Sequence, residues 1–214
     1  MSDLVRALER FNRKERNWLV RDALGAGAVA LCPNFRGRLS ECMRLVEPGA
    51  DVPDRAWWST DFHIDWLIGA MAILDKGEGT IGTPWPDLEG LVRGNQQDID
   101  LIIAWGNTLV LVEAKGVGSW SGSGTTQKLE RLSSLPSELF ERVNVFLVFC
   151  SPGDDGKPDS GWPGWLRNGP QRLHLKLARP EVEKSLLRVE RCKPAQSGFK
   201  RGKGGKSWRI VETE

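Results

Sequence analysis

The sequence lacks long hydrophobic runs, clustered cysteines and a strong net charge, and it contains no tyrosine. No uninterrupted apolar stretch approaches the roughly 20 residues that a membrane-spanning helix needs, and the N-terminal residues MSDLVRALERF show no signal-peptide pattern. The four cysteines are scattered and form no C-x-x-C pair, which argues against a zinc site and for reduced thiols. We therefore expect a cytoplasmic protein that has no membrane partner.

The charges nearly balance, because 30 Lys and Arg stand against 28 Asp and Glu, for a net charge of +2. Attraction to nucleic acid must then come from an uneven distribution of charge and not from the total. The region from Lys184 to Arg209 is uneven in this sense, with nine basic residues and one acid. Glycines stand between the basic residues there, so a loop could follow a phosphate backbone and release its counterions. The predicted nucleic-acid contacts are Lys200, Arg201, Lys203 and Lys206.

The length of 214 residues and the apolar content of 40% are typical of one globular domain with a sizeable core. Apolar residues recur at roughly helical spacing from Asp3 to about Leu24, which predicts one amphipathic helix. Pro33 to Gly37 is predicted to be a turn, and Ser40 to cap a short helix that ends near Pro48. Short strands are predicted around Leu173–Leu177, Leu186–Cys192 and Trp208–Val211.

The most informative stretch runs from Asp98 to Lys115 and contains two apolar runs, Ile99–Ala104 and Leu109–Val112. Between them lies Trp-Gly-Asn-Thr, in which the glycine and the asparagine tolerate the positive φ of a tight turn. The sequence therefore predicts an antiparallel hairpin. Each run is apolar on both of its faces, so the two strands are expected to be central and covered on both sides.

Three charged residues interrupt this apolar hairpin: Asp100 starts the first strand, and Glu113 and Lys115 end the second. Side chains alternate along a strand, so Glu113 and Lys115 share a face, and antiparallel pairing brings Asp100 beside them. Neighbouring carboxylates repel each other unless a cation lies between them, and oxygen ligands select Mg²⁺ or Mn²⁺. A lysine beside such a cation can orient water and stabilise charge on a phosphate under attack.

The segment before the hairpin, Asp54 to Asp75, carries aromatic and aliphatic residues in a helical stripe suited to packing on a sheet. Asp61 and Asp65 are four residues apart and would share one face of that helix. Like charges at this spacing destabilise a helix unless a cationic group faces them.

The segment after the hairpin begins with a loop rich in Gly and Ser that follows Lys115. A helix capped by Thr125 or Thr126 is predicted to run through Leu135. Val143–Cys150 is an apolar run of strand length, and it is predicted to be a parallel core strand reached through that helix.

The placement of Asp100, with Glu113-Ala114-Lys115 on the next strand, resembles the PD-(D/E)xK nuclease superfamily of restriction-endonuclease-like and Holliday-junction-resolvase-like enzymes. The resemblance covers roughly Asp54 to Cys150. It implies an α/β fold with a restriction-endonuclease-like mixed β-sheet flanked by helices, in one domain. The domain would comprise an N-terminal helical segment at residues 1–53, the core at residues 54–150, and a loop and C-terminal strands with a basic β-hairpin at residues 151–214.

The resemblance also implies an activity, that of a Mg²⁺-dependent endonuclease that hydrolyses DNA phosphodiester bonds, with Mn²⁺ able to substitute. Asp100, Glu113 and the carbonyl of Ala114 would hold the metal. Lys115 would position the attacking water. DNA is therefore the expected partner.

Two further roles follow from the resemblance alone. Members of the superfamily often carry an extra acid on the helix before the hairpin, and Asp61 or Asp65 could fill that place as a third metal ligand or as an acceptor of hydrogen bonds from groups that bind the metal. They frequently place a polar residue on the helix after the E-x-K triplet, and Gln127 is the candidate here. No tyrosine follows Gln127, so the exonuclease-type Q-x-x-x-Y motif is absent.

Several alternatives stay open at this point. Asp98 shares a face with Asp100 and competes with it as the metal ligand. Lys115 could instead form a structural ion pair with Glu113 or Asp100. The alternative functions are a non-catalytic nucleic-acid-binding or assembly module that keeps the nuclease fold, and an RNA-cleaving nuclease. The form of the substrate, its sequence specificity and the formation of a homodimer are also left open.

Overall fold

The computed structural model describes residues 1–25, 30–85, 87, 90–94, 97–116, 120, 123–153, 161–178, 187–195, 197–202 and 204–212. The chain divides into two compact units, Met1–Leu177 and Ala178–Glu214. The boundary between them falls inside residues 151–214, the segment predicted to complete a single domain. None of the helices in this described part of the chain is long and apolar enough to cross a membrane.

The first unit mixes helices and strands, and the described part of its first 53 residues contains helices and no strand. Short 3₁₀ turns occur at Glu78–Thr80 and Ser137–Phe140. In chain order the main elements are α1 (Asp3–Phe11), α2 (Glu15–Ala23), α3 (Pro33–Arg44), β1 (Trp57–His63), α4 (Ile64–Lys76), β2 (Asp98–Trp105), β3 (Thr108–Ala114), α5 (Ser123–Ser133), β4 (Asn144–Ser151) and β5 (Leu173–Lys176).

The strands of this unit form one mixed sheet in the order β1-β2-β3-β4-β5. The pairs β1–β2 and β2–β3 are antiparallel, and β4 runs parallel to both β3 and β5. The predicted hairpin is confirmed, with Ile103 opposite Val110 and a turn in which Gly106 has a φ of +51°. The predicted parallel core strand is confirmed as β4. The fold is therefore of the α/β class, with a mixed sheet and flanking helices.

Both faces of the sheet are covered, as the apolar runs of the hairpin predict. On one face, α1, α4 and α5 contribute to an apolar cluster in which Leu67 and Leu132 join Leu111. On the other face, α3 contributes Leu39 to a second cluster that includes Val112. Leu111 and Val112 are neighbours in the chain but belong to different clusters, because side chains alternate between the faces of a strand.

The predicted helix over Asp54–Asp75 is wrong in its first half, where the chain forms β1, and α4 begins only at Ile64. Trp57 and Trp58 pack into the two different clusters, which is the period of a strand. The side chain of His63 caps α4, because its Nδ1 accepts a hydrogen bond from the backbone N–H of Asp65 at 3.2 Å. Asp61 and Asp65 therefore lie on different elements and do not share a helix face.

The predicted helix from Asp3 to about Leu24 is interrupted after Phe11, and α2 starts at Glu15. Asn12 lies at the break, where its side-chain oxygen accepts a hydrogen bond from the hydroxyl of Ser59 at 2.9 Å. This tertiary contact holds a residue of low helix propensity outside the helix.

The turn predicted at Pro33 to Gly37 is also wrong, because α3 begins at Pro33. Proline is favoured in the first turn of a helix, where its missing N–H has no partner to lose. Ser40 lies inside α3 and does not cap it. Its hydroxyl donates to the carbonyl of Arg36 at 2.9 Å and accepts from the backbone N–H of Val52 at 2.9 Å, so it ties the chain after α3 back to the helix.

The second unit contains an antiparallel sheet with the order β7-β6-β8. Its strands are β6 (Leu187–Ala195), β7 (Gly198–Arg201) and β8 (Ser207–Glu212). Strands β6 and β8 confirm two of the predicted strands, and β7 lies within the stretch predicted to be a loop.

Two helical glycines offer a test of the packing between α1 and α4. A Cβ atom on Gly69 in α4 would lie 2.6 Å from Cζ of Phe11, whereas a Cβ atom on Gly37 in α3 would meet nothing within 4 Å. Gly37→Ala is expected to raise the free energy of unfolding by about 0.5–1 kcal/mol through helix propensity. Gly69→Ala is expected to raise the free energy of unfolding by less than this, or to lower it, because the ring of Phe11 must move. Urea denaturation measures both, and equal gains would contradict this packing.

Candidate active site

The open end of the β2–β3 hairpin brings Asp100 and Glu113 together. Pairing of the two strands extends to Leu101 opposite Val112, so the next residues along the strands, Asp100 and Glu113, lie side by side. Oδ2 of Asp100 accepts a hydrogen bond from the backbone N–H of Ala114 at 2.7 Å. The two carboxylates predicted to meet are therefore neighbours at one end of the sheet.

Glu113 is the most deeply buried of these charged residues, with 7% of its side chain exposed. Its Oε2 accepts a hydrogen bond from Nζ of Lys128 in α5, in an ion pair. Its Oε1 is buried without a hydrogen-bond partner of normal geometry among the described residues. A buried carboxylate oxygen in this position is costly unless a donor or a cation reaches it.

Burial is the main reason why the pKa of Glu113 is raised from 4.5 to about 7; the attraction of Lys128 opposes this shift, and the nearby charge of Asp100 contributes to it. The backbone N–H of Asp100 favours the charged form only weakly. Loss of hydration therefore outweighs the ion pair. Any additional positive charge placed beside Glu113 would stabilise the charged form of its carboxylate.

Lys115 shares a face with Glu113, as strand alternation predicts, because both side chains contact α5. Its Nζ donates to Oγ1 of Thr125 at 3.3 Å and lies 5.2 Å from the ring centroid of Trp120. A cation over a tryptophan ring is attracted by the electrons of the ring face. Glu113 does form an ion pair, but its partner is Lys128 and not Lys115, for which this role was the alternative.

Trp120 lies within the Gly- and Ser-rich segment that follows Lys115. Its side chain is buried, packs edge-on against Phe149 with ring centroids 4.8 Å apart, and donates from Nε1 to Oγ of Ser151 at 3.4 Å. Trp120 was missed because the surrounding residues indicate a loop. A lone tryptophan within such a loop was the available signal.

Helix α5 presents a polar stripe to this end of the sheet. Thr125, Lys128 and Arg131 follow one another at intervals of three residues, which places them on one side of the helix. They contact Lys115, Glu113 and Asp65 respectively. The sequence analysis did not identify Lys128, because the resemblance pointed to its neighbour Gln127 as the polar residue of this helix.

Gln127 is exposed, and no hydrogen bond involving its side chain occurs within the described part of the chain. It lies about 100° around the helix from Lys128. Its predicted role toward a substrate stays a prediction.

Asp65 is engaged in a structural network instead of facing Asp100 and Glu113. It forms an ion pair with Arg131, whose side chain is fully buried, and it accepts hydrogen bonds from the backbone N–H groups of Arg93 at 3.3 Å and Gly94 at 2.9 Å. Arg131 also donates to Oε1 of Gln97 at 3.0 Å. Asp65 therefore joins α4, α5 and the chain that leads into β2.

Asp61 and Asp98 lie closer to the carboxylate pair. The register of β1 with β2 runs from Thr60 opposite Leu101 to Phe62 opposite Ile99, so Asp61 lies across from Asp100. Asp61 has a φ of +51° and pairs with Arg16 at 3.6 Å. Asp98 pairs with Lys14 at 2.7 Å, which already satisfies one of its oxygens.

Among the described residues, no three His, Cys, Asp or Glu side chains are grouped so as to hold a metal ion. The arrangement consists of two adjacent carboxylates and two lysines. The predicted nucleic-acid contacts belong to the second unit, where Lys200 and Arg201 lie in β7 and Lys206 directly precedes β8. Lys203 lies outside the described residues.

Comparison with known proteins adds nothing to these observations. No protein-family model matches the chain, and no curated protein or solved structure matches it either. A function must therefore be inferred from the side chains and their geometry.

Asp65→Asn tests whether Asp65 acts through structure. Removing its charge takes an anionic partner away from the buried guanidinium of Arg131, so the free energy of unfolding is expected to fall by roughly 3–5 kcal/mol. Chemical denaturation in EDTA measures the loss without any contribution from metal. Asp51→Asn is the matched control, because Asp51 pairs with Arg44 at 3.0 Å on the surface and such pairs contribute about 0–1 kcal/mol. Equal losses would refute the structural role.

The raised pKa of Glu113 predicts a pH-dependent stability. The folded protein retains the proton between pH 4.5 and about 7, where the unfolded chain has released it. Stability should therefore fall as the pH rises through that window, by up to about 1.4 kcal/mol per pH unit.

Glu113→Gln removes this titration. The stability of the parent relative to Glu113→Gln is expected to decline from about pH 5 to about pH 8 in EDTA. Glu130→Gln, which removes a carboxylate at an exposed position of α5, serves as the control variant. A constant difference between the parent and Glu113→Gln would mean that the carboxylate of Glu113 titrates normally.

Proposed function

We propose that this protein is a metal-dependent nuclease of the PD-(D/E)xK type that hydrolyses DNA phosphodiester bonds. The observation that carries the proposal is the meeting of Asp100 and Glu113 at the end of an apolar hairpin, with Lys115 on the same face as Glu113. An apolar sheet has no structural need for two adjacent carboxylates, and such clusters are typical of functional sites.

The donor set fits a hard divalent cation such as Mg²⁺, with Mn²⁺ as a substitute. Mg²⁺ is commonly held by one or two carboxylates together with water and substrate phosphate oxygens, so a cage of three acids is not required. Oε1 of Glu113, which is buried and has no hydrogen-bond partner among the residues that the structure describes, is the atom that a bound cation would stabilise most. Asp100, Glu113 and the carbonyl of Ala114 would hold the ion. Asp61, across from Asp100, is a better candidate for an auxiliary acid than Asp65.

A bound Mg²⁺ would supply charge neutralisation at the phosphate and a lowered pKa for the attacking water. Lys115 would then orient that water and stabilise the negative charge that develops on the phosphate. Thr125 and Trp120 hold its ammonium group in place. Lys128 neutralises Glu113 in the metal-free protein, which keeps a buried carboxylate tolerable before the ion arrives.

The ion pair between Lys128 and Glu113 also supports a second candidate. In a non-catalytic nucleic-acid-binding module that keeps the same architecture, Lys128 would be the permanent partner of Glu113. The carboxylate would then need no divalent cation, and added metal would change neither the stability of the protein nor its affinity for nucleic acid. An RNA-cleaving nuclease would use the same residues on a different substrate.

Lys115→Ala separates these functions. In the nuclease, Lys115 acts mainly when charge develops on the phosphate, so its loss should lower the rate of cleavage by on the order of a hundredfold. DNA affinity should change little, because one lysine is a small part of a phosphate-contacting surface. Cleavage of plasmid DNA and of RNA transcripts with Mg²⁺ or Mn²⁺, against EDTA, measures the effect.

Controls define what would refute the nuclease. Lys76→Ala removes a lysine that is 60% exposed at the end of α4 and should leave cleavage unchanged. Asp100→Asn and Glu113→Gln should lose Mn²⁺ affinity by calorimetry while remaining folded. A folded Lys115→Ala that cuts at the parental rate, or unchanged Mn²⁺ binding in both carboxylate variants, would remove these residues from the site.

A further inference from the structure

The sheet of the second unit has two chemically different faces. Directly opposite residues of antiparallel strands share a face, and the register places Arg191 opposite Trp208 and Val189 opposite Ile210. It also places Lys193 opposite Lys200. We call this side the open face. Its members are Leu187, Val189, Arg191, Lys193, Lys200, Trp208, Ile210 and Glu212.

The opposite face is internally satisfied. Glu190 is buried there and accepts a hydrogen bond from Nε of Arg209 at 2.9 Å. Arg188 and Arg201 approach the same carboxylate at 3.6 and 3.9 Å. Cys192 lies beside them and is buried. The arginines of this face therefore already have an anionic partner within their own sheet.

The described residues of the open face include no comparable anionic centre. Its apolar side chains are largely exposed, with values of 63% for Leu187, 67% for Val189, 67% for Trp208 and 58% for Ile210. In the described residues, no ion pair neutralises the three cations of this face. A contiguous exposed apolar patch beside unneutralised charge marks an interaction surface.

We infer that the open face binds single-stranded nucleic acid. An unpaired base stacks on the indole of Trp208, and neighbouring phosphates contact Arg191, Lys193 and Lys200. Arg191 and Lys193 lie two residues apart on the same side of β6, roughly 7 Å along the strand, so they line a track for an extended backbone. Sheets that bind single strands combine exposed aromatic rings with basic side chains in this way.

The charge of the face favours this occupant over others. Three cations against one carboxylate, Glu212, make a surface that attracts a polyanion and disfavours a second copy of itself. Duplex DNA keeps its bases stacked inside, so it cannot use Trp208. The inference deepens the proposed function by naming the class of strand that is held, and it rests on that function only for the identity of the substrate.

The test measures fluorescence anisotropy of labelled oligothymidine, oligouridine and a duplex of equal length in EDTA, so that cleavage plays no part. The intact protein is expected to bind a single strand more tightly than the duplex. Trp208→Ala should weaken single-strand binding by about tenfold or more, and Trp208→Phe should restore most of it. Lys193→Ala should reduce the slope of log affinity against log salt by roughly 0.7.

Matched controls come from the opposite face. Phe199 is 51% exposed, and Phe199→Ala should leave affinity unchanged if Trp208 acts by stacking. Arg188→Ala should leave the salt slope unchanged, because Glu190 already engages Arg188. Circular dichroism confirms that each variant is folded.

Any one of three binding results would overturn the inference: equal affinity of the parent for duplex and single strands, unchanged binding in Trp208→Ala, or equal losses of affinity in Trp208→Ala and Phe199→Ala. Dissociation of an oligomer by Trp208→Ala without loss of oligonucleotide binding would also overturn it, in favour of a second copy as the occupant. Cleavage by the parent together with unchanged binding in Trp208→Ala would support the nuclease and refute strand binding by the open face. Binding that depends on Trp208, without any cleavage, would support strand binding by the open face and refute the nuclease.

Discussion

Burial of the carboxylate of Glu113 is the constraint on which the candidate site depends. The carboxylate follows a run of strand residues, Leu109–Val112, that belong to the core, and the hydration that it loses is not replaced by its ion pair. The sheet accommodates it only because α5 brings Lys128 to one of its oxygens. Within the described part of the chain, the other oxygen has no donor of normal geometry, and a further cation would therefore stabilise it.

Helix α5 must therefore be held in place accurately, and its polar stripe does this. Arg131 lies one turn beyond Lys128 and is anchored by Asp65 at the start of α4. The same carboxylate binds the backbone of Arg93 and Gly94 on the way to β2. Asp65, which the sequence offered as a metal ligand, thus contacts both the helix that faces Glu113 and the chain that leads into β2.

The two units differ in how they handle charge. In the first unit, buried charges are paired across elements that are distant in the chain, and the pairs hold those elements together. In the second unit, the cations of one face converge on Glu190, whereas those of the other face remain available beside Trp208. A protein that cuts nucleic acid needs both a site that concentrates charge and a surface that retains the strand. In the proposed nuclease, the first unit would carry the site and the second unit would carry the surface.

Local pattern was enough to predict the β2–β3 hairpin, its burial on both faces, the parallel strand β4 and the adjacency of Asp100 and Glu113, because these depend on a two-residue period and a tight turn. The same reasoning failed at β1, whose residues fit a helical stripe as well as a strand, and pairing with β2 decided between them. Two contacts were decided by tertiary structure alone. Glu113 pairs with Lys128, 15 residues away, and not with Lys115, and Asp65 pairs with Arg131, 66 residues away. Ion pairs of this kind form where packing brings two helices and a sheet end together, and no spacing along the chain encodes that meeting.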